Sequence, residues 1–109
     1  MKEDLEQILS MFLFEMNSER TRREIKRRLE SYLTFQINEG NIRDFKVEDR
    51  TLISQFENRD QNFLYFQVYY QKRTSEITVI DITLGNNSVI ISDFENNVIG
   101  KRLIRLLKF

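Results

Sequence analysis

The 109-residue chain contains no cysteine, no histidine and no proline, and it has only three glycines. Without cysteine it can form neither a disulfide nor a thiolate metal site. Without histidine it lacks the most common general base and the most common zinc ligand of proteins. It also has no glycine-rich phosphate loop of the G-K-[ST] type. We therefore expect no catalytic site, no bound metal and no cofactor.

An excess of one charge sign is missing as well, because 17 basic residues balance 17 acidic residues and the formal net charge is zero. This balance disfavours wholesale binding to nucleic acid or to an anionic membrane, which usually requires an excess of positive charge. No apolar run approaches the roughly 18 residues of a membrane-spanning helix. Residues 1–6 are too polar and acidic for a secretory signal, so we expect a protein made in a cytoplasm.

The residues that are present are typical of a folded protein, with 40% hydrophobic and 12% aromatic side chains. The length is close to the most common size of a single domain and allows a sizeable core. No internal repeat, low-complexity segment or linker interrupts the sequence. Residues 1–109 are therefore predicted to form one domain.

The N-terminal part has the apolar spacing of helices. Residues 2–16 are predicted to form a first helix, and Asn17 or Ser18 is predicted to cap a second helix that ends near Gly40. The residues that share one side of each helix are Leu5, Ile8, Leu9, Phe12 and Leu13 in the first and Ile25, Leu29, Tyr32, Leu33 and Gln36 in the second.

After Gly40 the apolar residues alternate, which predicts strands. Phe45 and Val47 share a face of the first strand, at 42–49. Further strands are expected at 63–71, at 76–84 and, after a tight turn at residues 85–87, around residues 89–91, whereas 57–62 is predicted to be a loop. With a short amphipathic helix at 101–109, the chain is predicted to be an α+β protein: two N-terminal helices on a three- or four-stranded antiparallel sheet, closed by a C-terminal helix.

The segment from Phe12 to Arg22, FLFEMNSERTR, resembles the inner, C-terminal domain of phage contractile tail sheath proteins. In that family an apolar-Phe-Glu-x-Asn turn precedes a helix that opens with Thr-Arg. The similarity continues through residues 40–47, GNIRDFKV, and through the hairpin that contains LYFQVYY at 64–70 and Ile77 to Ile80. It covers roughly residues 5–84, although Met16 stands where the family usually has proline.

The resemblance implies a structural protein of the phage tail, made in the host cytoplasm and incorporated into the virion. Sheath subunits form six-membered rings around a tail tube, and their inner domains are joined by exchanged strands. The implied partners are further copies of the chain, in rings of this kind, and other tail proteins such as the tube. Sheath proteins are several times longer, so the resemblance fits a small accessory protein of the terminator, neck or baseplate, or one domain of a sheath.

Six of the nine residues 20–28 are basic, whereas residues 1–19 hold five acidic residues and one lysine. Two interpretations remain open. The segment is either a solvated helix face with spaced ion pairs to Glu24 and Glu30, or an electrostatic docking face for an acidic protein surface. The candidate docking residues are Arg20, Arg22, Arg23, Lys26 and Arg27.

An alternative function is a small phage regulator that binds a host protein or nucleic acid through this helix. Nucleic acid is the lesser option, because no basic residues interleave with aromatic ones on the strands.

Two further features indicate partner contacts. Phe63, Tyr65 and Tyr69 form a second apolar face of the strongest strand, which predicts either core burial or a subunit interface. Residues 88–92 are apolar and uncharged, and Val89, Ile90 and Ile91 are therefore candidates for an edge strand that pairs with a neighbouring molecule. A proline at Ile90 is expected to abolish such assembly at a modest cost to the folding of the monomer.

Four acidic residues on the strands could in principle form a carboxylate pair or a magnesium site: Asp44, Glu48, Asp49 and Asp81. The nuclease-like pattern of an acid followed by Glu-x-Lys is not met, because Tyr70 stands where the glutamate would be needed. We interpret the four as solvated charges at strand ends. The chain is accordingly predicted not to be an enzyme.

Overall fold

The computed structural model describes residues 1–13, 18–52, 63–72, 77–85 and 88–95. In chain order these contain two helices, α1 (Lys2–Ser10) and α2 (Glu19–Asn38), and four strands, β1 (Asp44–Asp49), β2 (Leu64–Gln71), β3 (Ile77–Leu84) and β4 (Val89–Glu95). The predicted α+β class, with two helices ahead of an antiparallel sheet, is confirmed. The predicted loop at 57–62 and the predicted C-terminal helix at 101–109 lie outside the described residues.

The second helix begins where the capping residues predicted it. Ser18 has extended backbone angles, and its hydroxyl oxygen accepts a hydrogen bond from the Thr21 amide at 3.2 Å. This bond satisfies one of the amides that have no partner within the first helical turn. At the other end Gly40 adopts a φ of 78°. A side chain at that position would be strained, which explains why glycine follows the helix.

The first helix is shorter than predicted, because it ends at Ser10 instead of continuing to residue 16. The amides of Met11, Phe12 and Leu13 donate to carbonyl oxygens three residues back. Such bonds belong to the tighter turns that often follow an α-helix. Phe12 still packs against the core, so the apolar periodicity that predicted a longer helix is preserved by the turn.

The four strands form one sheet in the order β1-β2-β3-β4, and every neighbouring pair is antiparallel. The sheet is therefore a meander, with β1 and β4 as its outer strands among the described residues. Val47 lies opposite Val68, and Val68 lies opposite Ile80. This register places apolar residues of successive strands on the same face.

The two helices cover one face of this sheet, with α2 over β1 and α1 over β4. Each fully buried aliphatic side chain in such a layer contributes about 1.5–3 kcal/mol of hydrophobic transfer energy. Phe45 and Val47 share the helix-covered face, as predicted. The buried residues of this core are Leu5, Leu9, Ile25, Leu29, Leu33, Ile42, Val47, Leu64, Phe66, Val68, Tyr70, Ile80, Ile82, Leu84 and Ile91.

The opposite face of the sheet carries a second, smaller apolar cluster. Tyr69, Ile77 and Val79 form a second buried cluster there. Tyr65 is 6% exposed and Tyr69 is 3% exposed in the single chain. Neither tyrosine therefore presents an appreciable surface that a partner could contact on the folded monomer.

Candidate docking surfaces

A surface groove of ≈ 450 Å³ lies between the N-terminal half of α2 and the end of β1. Helical geometry explains how the segment lines it, because residues three and four apart project from the same side. The described residues that line the groove are three cations, two carboxylates and one leucine: Arg22, Arg23, Lys26, Glu19, Asp49 and Leu52.

Arg22 is tied into the fold. Its Nε lies 3.2 Å from Oδ2 of Asp49, and its side chain is only 14% exposed. The ion pair joins α2 to the end of β1, so Arg22 anchors one wall of the groove. Of the predicted docking residues, this one contributes to the shape of the site more than to its accessible charge.

Arg23 and Lys26 supply the accessible positive charge of the groove. Arg23 is exposed and Lys26 is partly exposed. In the described part of the chain, neither has a carboxylate within ion-pair distance. Leu52 beside them is 63% exposed, a large value for a leucine. The groove can therefore hold an anionic group next to an apolar one.

The remaining basic residues of the segment lie outside this groove. Arg27 donates through Nε to Glu24 at 3.1 Å, and Arg28 donates to the same carboxylate at 3.4 Å. The hydrogen bond from Arg27 lowers the pKa of Glu24 below its ordinary value. This part of α2 matches the interpretation of a solvated face with spaced ion pairs, although Glu30 makes no ion pair within the described ranges.

Arg20 lines a separate cavity of ≈ 310 Å³ with Phe12, Thr21 and Glu24.

The outer strand β4 is a second candidate surface, and the register shows which of its backbone groups point outwards. Gly85 donates to the carbonyl of Ser88 at 2.9 Å, so these two residues form a hydrogen-bonded pair. Bonded and non-bonded pairs alternate along an antiparallel ladder. Thr83 and Ile90 are consequently bonded to each other, whereas the amides and carbonyls of Val89 and Ile91 point away from β3.

This register changes the expected effect of a proline at Ile90. The amide of Ile90 faces β3, so its removal would break the ladder within the chain. The side chain of Ile90 is 55% exposed, and Ile91 instead belongs to the core, at 6% exposed. A modest cost to the monomer is therefore expected for a proline at Val89 and not at Ile90.

The chain matches no protein-family model, no curated protein and no solved structure. Within the ranges that the structure describes, no helix is long and apolar enough to span a membrane, and no group of three or more acidic side chains is arranged to hold a metal ion. The chemistry of the described surface therefore has to be argued from its own residues.

The interpretation of the four strand acids as solvated charges at strand ends is wrong for two of them. Asp81 lies in the middle of β3 and accepts a hydrogen bond from Gln67 at 2.6 Å. Glu48 accepts one from Arg50 at 2.6 Å, and its other oxygen is buried with no hydrogen-bond partner in the described structure. Asp44 accepts a bond from the Phe45 amide at 2.9 Å.

Sequence reasoning missed the polar group at the centre of the second face. Glu48, Gln67 and Asp81 lie side by side on three successive strands. Each of the three follows an apolar residue of its own strand, so the alternation predicts that it points to the opposite face from that residue. Only the register between strands brings them together, because they are far apart in the chain.

Proposed function

We propose that this chain is a non-enzymatic structural protein of a phage tail, similar to the inner domain of a tail sheath. It assembles with copies of itself and with other tail proteins by strand addition and by electrostatic docking. The resemblance of residues 5–84 to sheath proteins supports the phage setting. The observation that carries the assembly mechanism is that β4 is an outer strand of the sheet formed by the described residues, with the backbone groups of Val89 and Ile91 directed outwards.

Strand addition to β4 is favoured by the chemistry of its exposed residues. Natural proteins usually blunt an outer strand with a lysine, a proline or a bulge. Residues 88–92 carry no charge and no proline. Ile90 is exposed, as are Ser88 and Ser92. A neighbouring strand would gain backbone hydrogen bonds to β4, and the alternating side chains would set its register.

Electrostatic docking is supported by the groove beside β1, the strand at the other edge of the sheet. Arg23 and Lys26 offer positive charge beside Leu52. The partner surface that fits these two cations is acidic. Charge of this kind mainly accelerates association and selects the partner, whereas the strand pairing supplies persistent contacts.

The first prediction distinguishes the two proline variants of β4. Val89→Pro should abolish assembly without removing a bond of the β3–β4 ladder, because the amide of Val89 points outwards. Ile90→Pro should lower the free energy of unfolding more strongly, because it removes the amide that bonds Thr83. Light scattering after size-exclusion chromatography measures assembly, and urea unfolding of the monomer measures stability.

Ile90→Lys is the matched variant that keeps the backbone intact. It places a charge on the exposed position of the outer strand and should reduce assembly with little change in stability. Normal assembly of both Val89→Pro and Ile90→Lys would contradict strand addition at β4. A wild-type chain that stays monomeric and binds a host protein or nucleic acid through residues 20–28 would favour the alternative function, a small phage regulator.

A further inference from the structure

The groove has an oppositely charged counterpart on the first helix of the same molecule. Glu3, Asp4 and Glu6 are exposed on α1. This helix packs over β4, whereas the groove lies over β1 at the other outer strand. The hydroxyl of Tyr32 donates to Asp4 at 2.6 Å, which places α1 beside the C-terminal half of α2. Among the described residues no ion pair joins Glu3, Asp4 or Glu6 to Arg23 or Lys26.

We propose that the groove of one copy binds the acidic face of α1 from a neighbouring copy in a head-to-tail contact. This inference rests on the proposed self-assembly and names the partner of the groove. The two surfaces of the contact differ, so it is heterologous. Contacts of this type do not close into a two-fold dimer and instead propagate into a ring or a filament.

The sheet geometry allows the same contact to join two outer strands. In a four-stranded antiparallel meander the first and last strands run in opposite directions. A copy placed beside β4 by translation therefore presents its own β1 in the antiparallel orientation, with its helices on the same face. The sheet can then continue from one copy into the next without a change of layer.

The outward backbone groups of β1 fit this arrangement. Arg50 donates to the carbonyl of Tyr65 at 2.8 Å, so the bonded pairs to β2 include Glu48. By alternation, the backbone groups of Val47 and the carbonyl of Phe45 point outwards, whereas the Phe45 amide donates to Asp44 within the chain. Both residues contact the helix-covered core, as does Ile91 of β4. Residues that pair across a ladder must share a face, and these do.

The charges at the two surfaces have matching spacing. Glu3 and Glu6 are three residues apart on the exposed side of α1, and Arg23 and Lys26 are three residues apart in the groove. Each pair spans about 4.5 Å along its helix axis. The exposed Leu52 of the groove adds an apolar contact site.

The second prediction tests this contact with two charge-reversed chains. One carries Glu3→Lys and Glu6→Lys, and the other carries Arg23→Glu and Lys26→Glu. Each chain alone should stay monomeric, because its two docking surfaces then have the same sign. An equimolar mixture should assemble, because each reversed surface meets its complement on the other chain. Light scattering of the separate and mixed chains measures the outcome, and added salt should weaken the restored assembly.

Arg43→Glu with Lys72→Glu is the control. Both residues are exposed, and the double change alters the net charge as much as the groove variant does. It should assemble like the wild type.

Equal loss of assembly in this control would overturn the inference. A mixture of the two charge-reversed chains that is no more associated than the separate chains would also overturn it. If the charge variants assemble normally while Val89→Pro does not, the inference fails and the proposed function stands. A wild-type chain that never associates would overturn both.

Discussion

Gln67 joins β2 to β3 on the face of the sheet that is opposite the helices. Its Nε2 donates to Oδ1 of Asp81 in β3 at 2.6 Å, and its Oε1 accepts from the hydroxyl of Tyr69 at 2.6 Å. Glu48 of β1 lies directly opposite it in the register. Burial raises the pKa of Tyr69, and the carboxylate of Glu48 adds to this effect. The tyrosine therefore remains a neutral hydrogen-bond donor to Gln67.

The third prediction follows from this arrangement of single side chains. Gln67→Leu should lower the free energy of unfolding by about 1–3 kcal/mol, because it removes the hydrogen-bond partner of the partly buried Asp81 and of the buried Tyr69. Gln71→Leu is the matched control, on the same face of the same strand. Urea unfolding compares the two, and a control that loses as much stability as Gln67→Leu would show that the hydrogen bonds contribute little.

Helix α2 begins at a position that is set by its capping residue. The N-terminus of α2 is set by Ser18, whose side chain accepts from the Thr21 amide. A basic segment that starts a helix is otherwise unfavourable, because the helix dipole repels positive charge at its N-terminus. Glu19 is the acidic residue in the first turn and partly compensates. The cap therefore decides where a groove-lining helix begins.

The fourth prediction concerns this cap. Ser18→Ala should cost about 0.5–2 kcal/mol of unfolding free energy, the usual range for the loss of a capping side chain. Ser10→Ala is the control, because the Ser10 hydroxyl donates to the Glu6 carbonyl within α1 and alanine is the better helix former. Chemical denaturation with helix content followed by circular dichroism measures both. Equal effects at the two serines would argue against the capping role.

At the scale of the whole molecule, the contact between the two helices makes stability sensitive to alkaline pH. Burial raises the pKa of Tyr32 far above its ordinary value, and the hydrogen bond to Asp4 raises it further. In the unfolded chain the phenol titrates near pH 10, at about the ordinary value. The folded chain thus keeps a proton that the unfolded chain has lost. The stabilisation is complete below about pH 10 and declines as pH rises towards the folded-state pKa.

The fifth prediction is that Tyr32→Phe flattens this alkaline decline. Its free energy of unfolding should fall less than that of the wild type between about pH 9 and pH 11, because the titrating phenol is gone. Guanidinium unfolding across this range supplies the comparison, and absorbance of the phenolate reports the titration itself. Parallel curves for the two chains would exclude Tyr32 as the source of the pH dependence.

Features that depend on residues close together in the chain follow from the sequence alone. Apolar spacing identified the helix face at Ile25 and Leu29, and alternation identified the strand faces around Val47. Ser18 and Gly40 marked the ends of α2, because a capping hydroxyl and a left-handed backbone act within a few residues. These signals need no knowledge of the rest of the chain. Among the described residues they failed at the end of α1, where a tighter turn keeps the same apolar spacing as a helix.

Contacts between residues far apart in the chain depend on the packing of the whole domain. Arg22 was predicted as a free docking cation, but it pairs with Asp49 because α2 packs over β1. Gln67 and Asp81 join because of a strand register that single residues do not encode. The same register decides that Val89, and not Ile90, directs its amide outwards. Ladder bonds alternate strictly, so the direction of each amide depends on which residues pair across the sheet, and that pairing is set by the packing of the whole core.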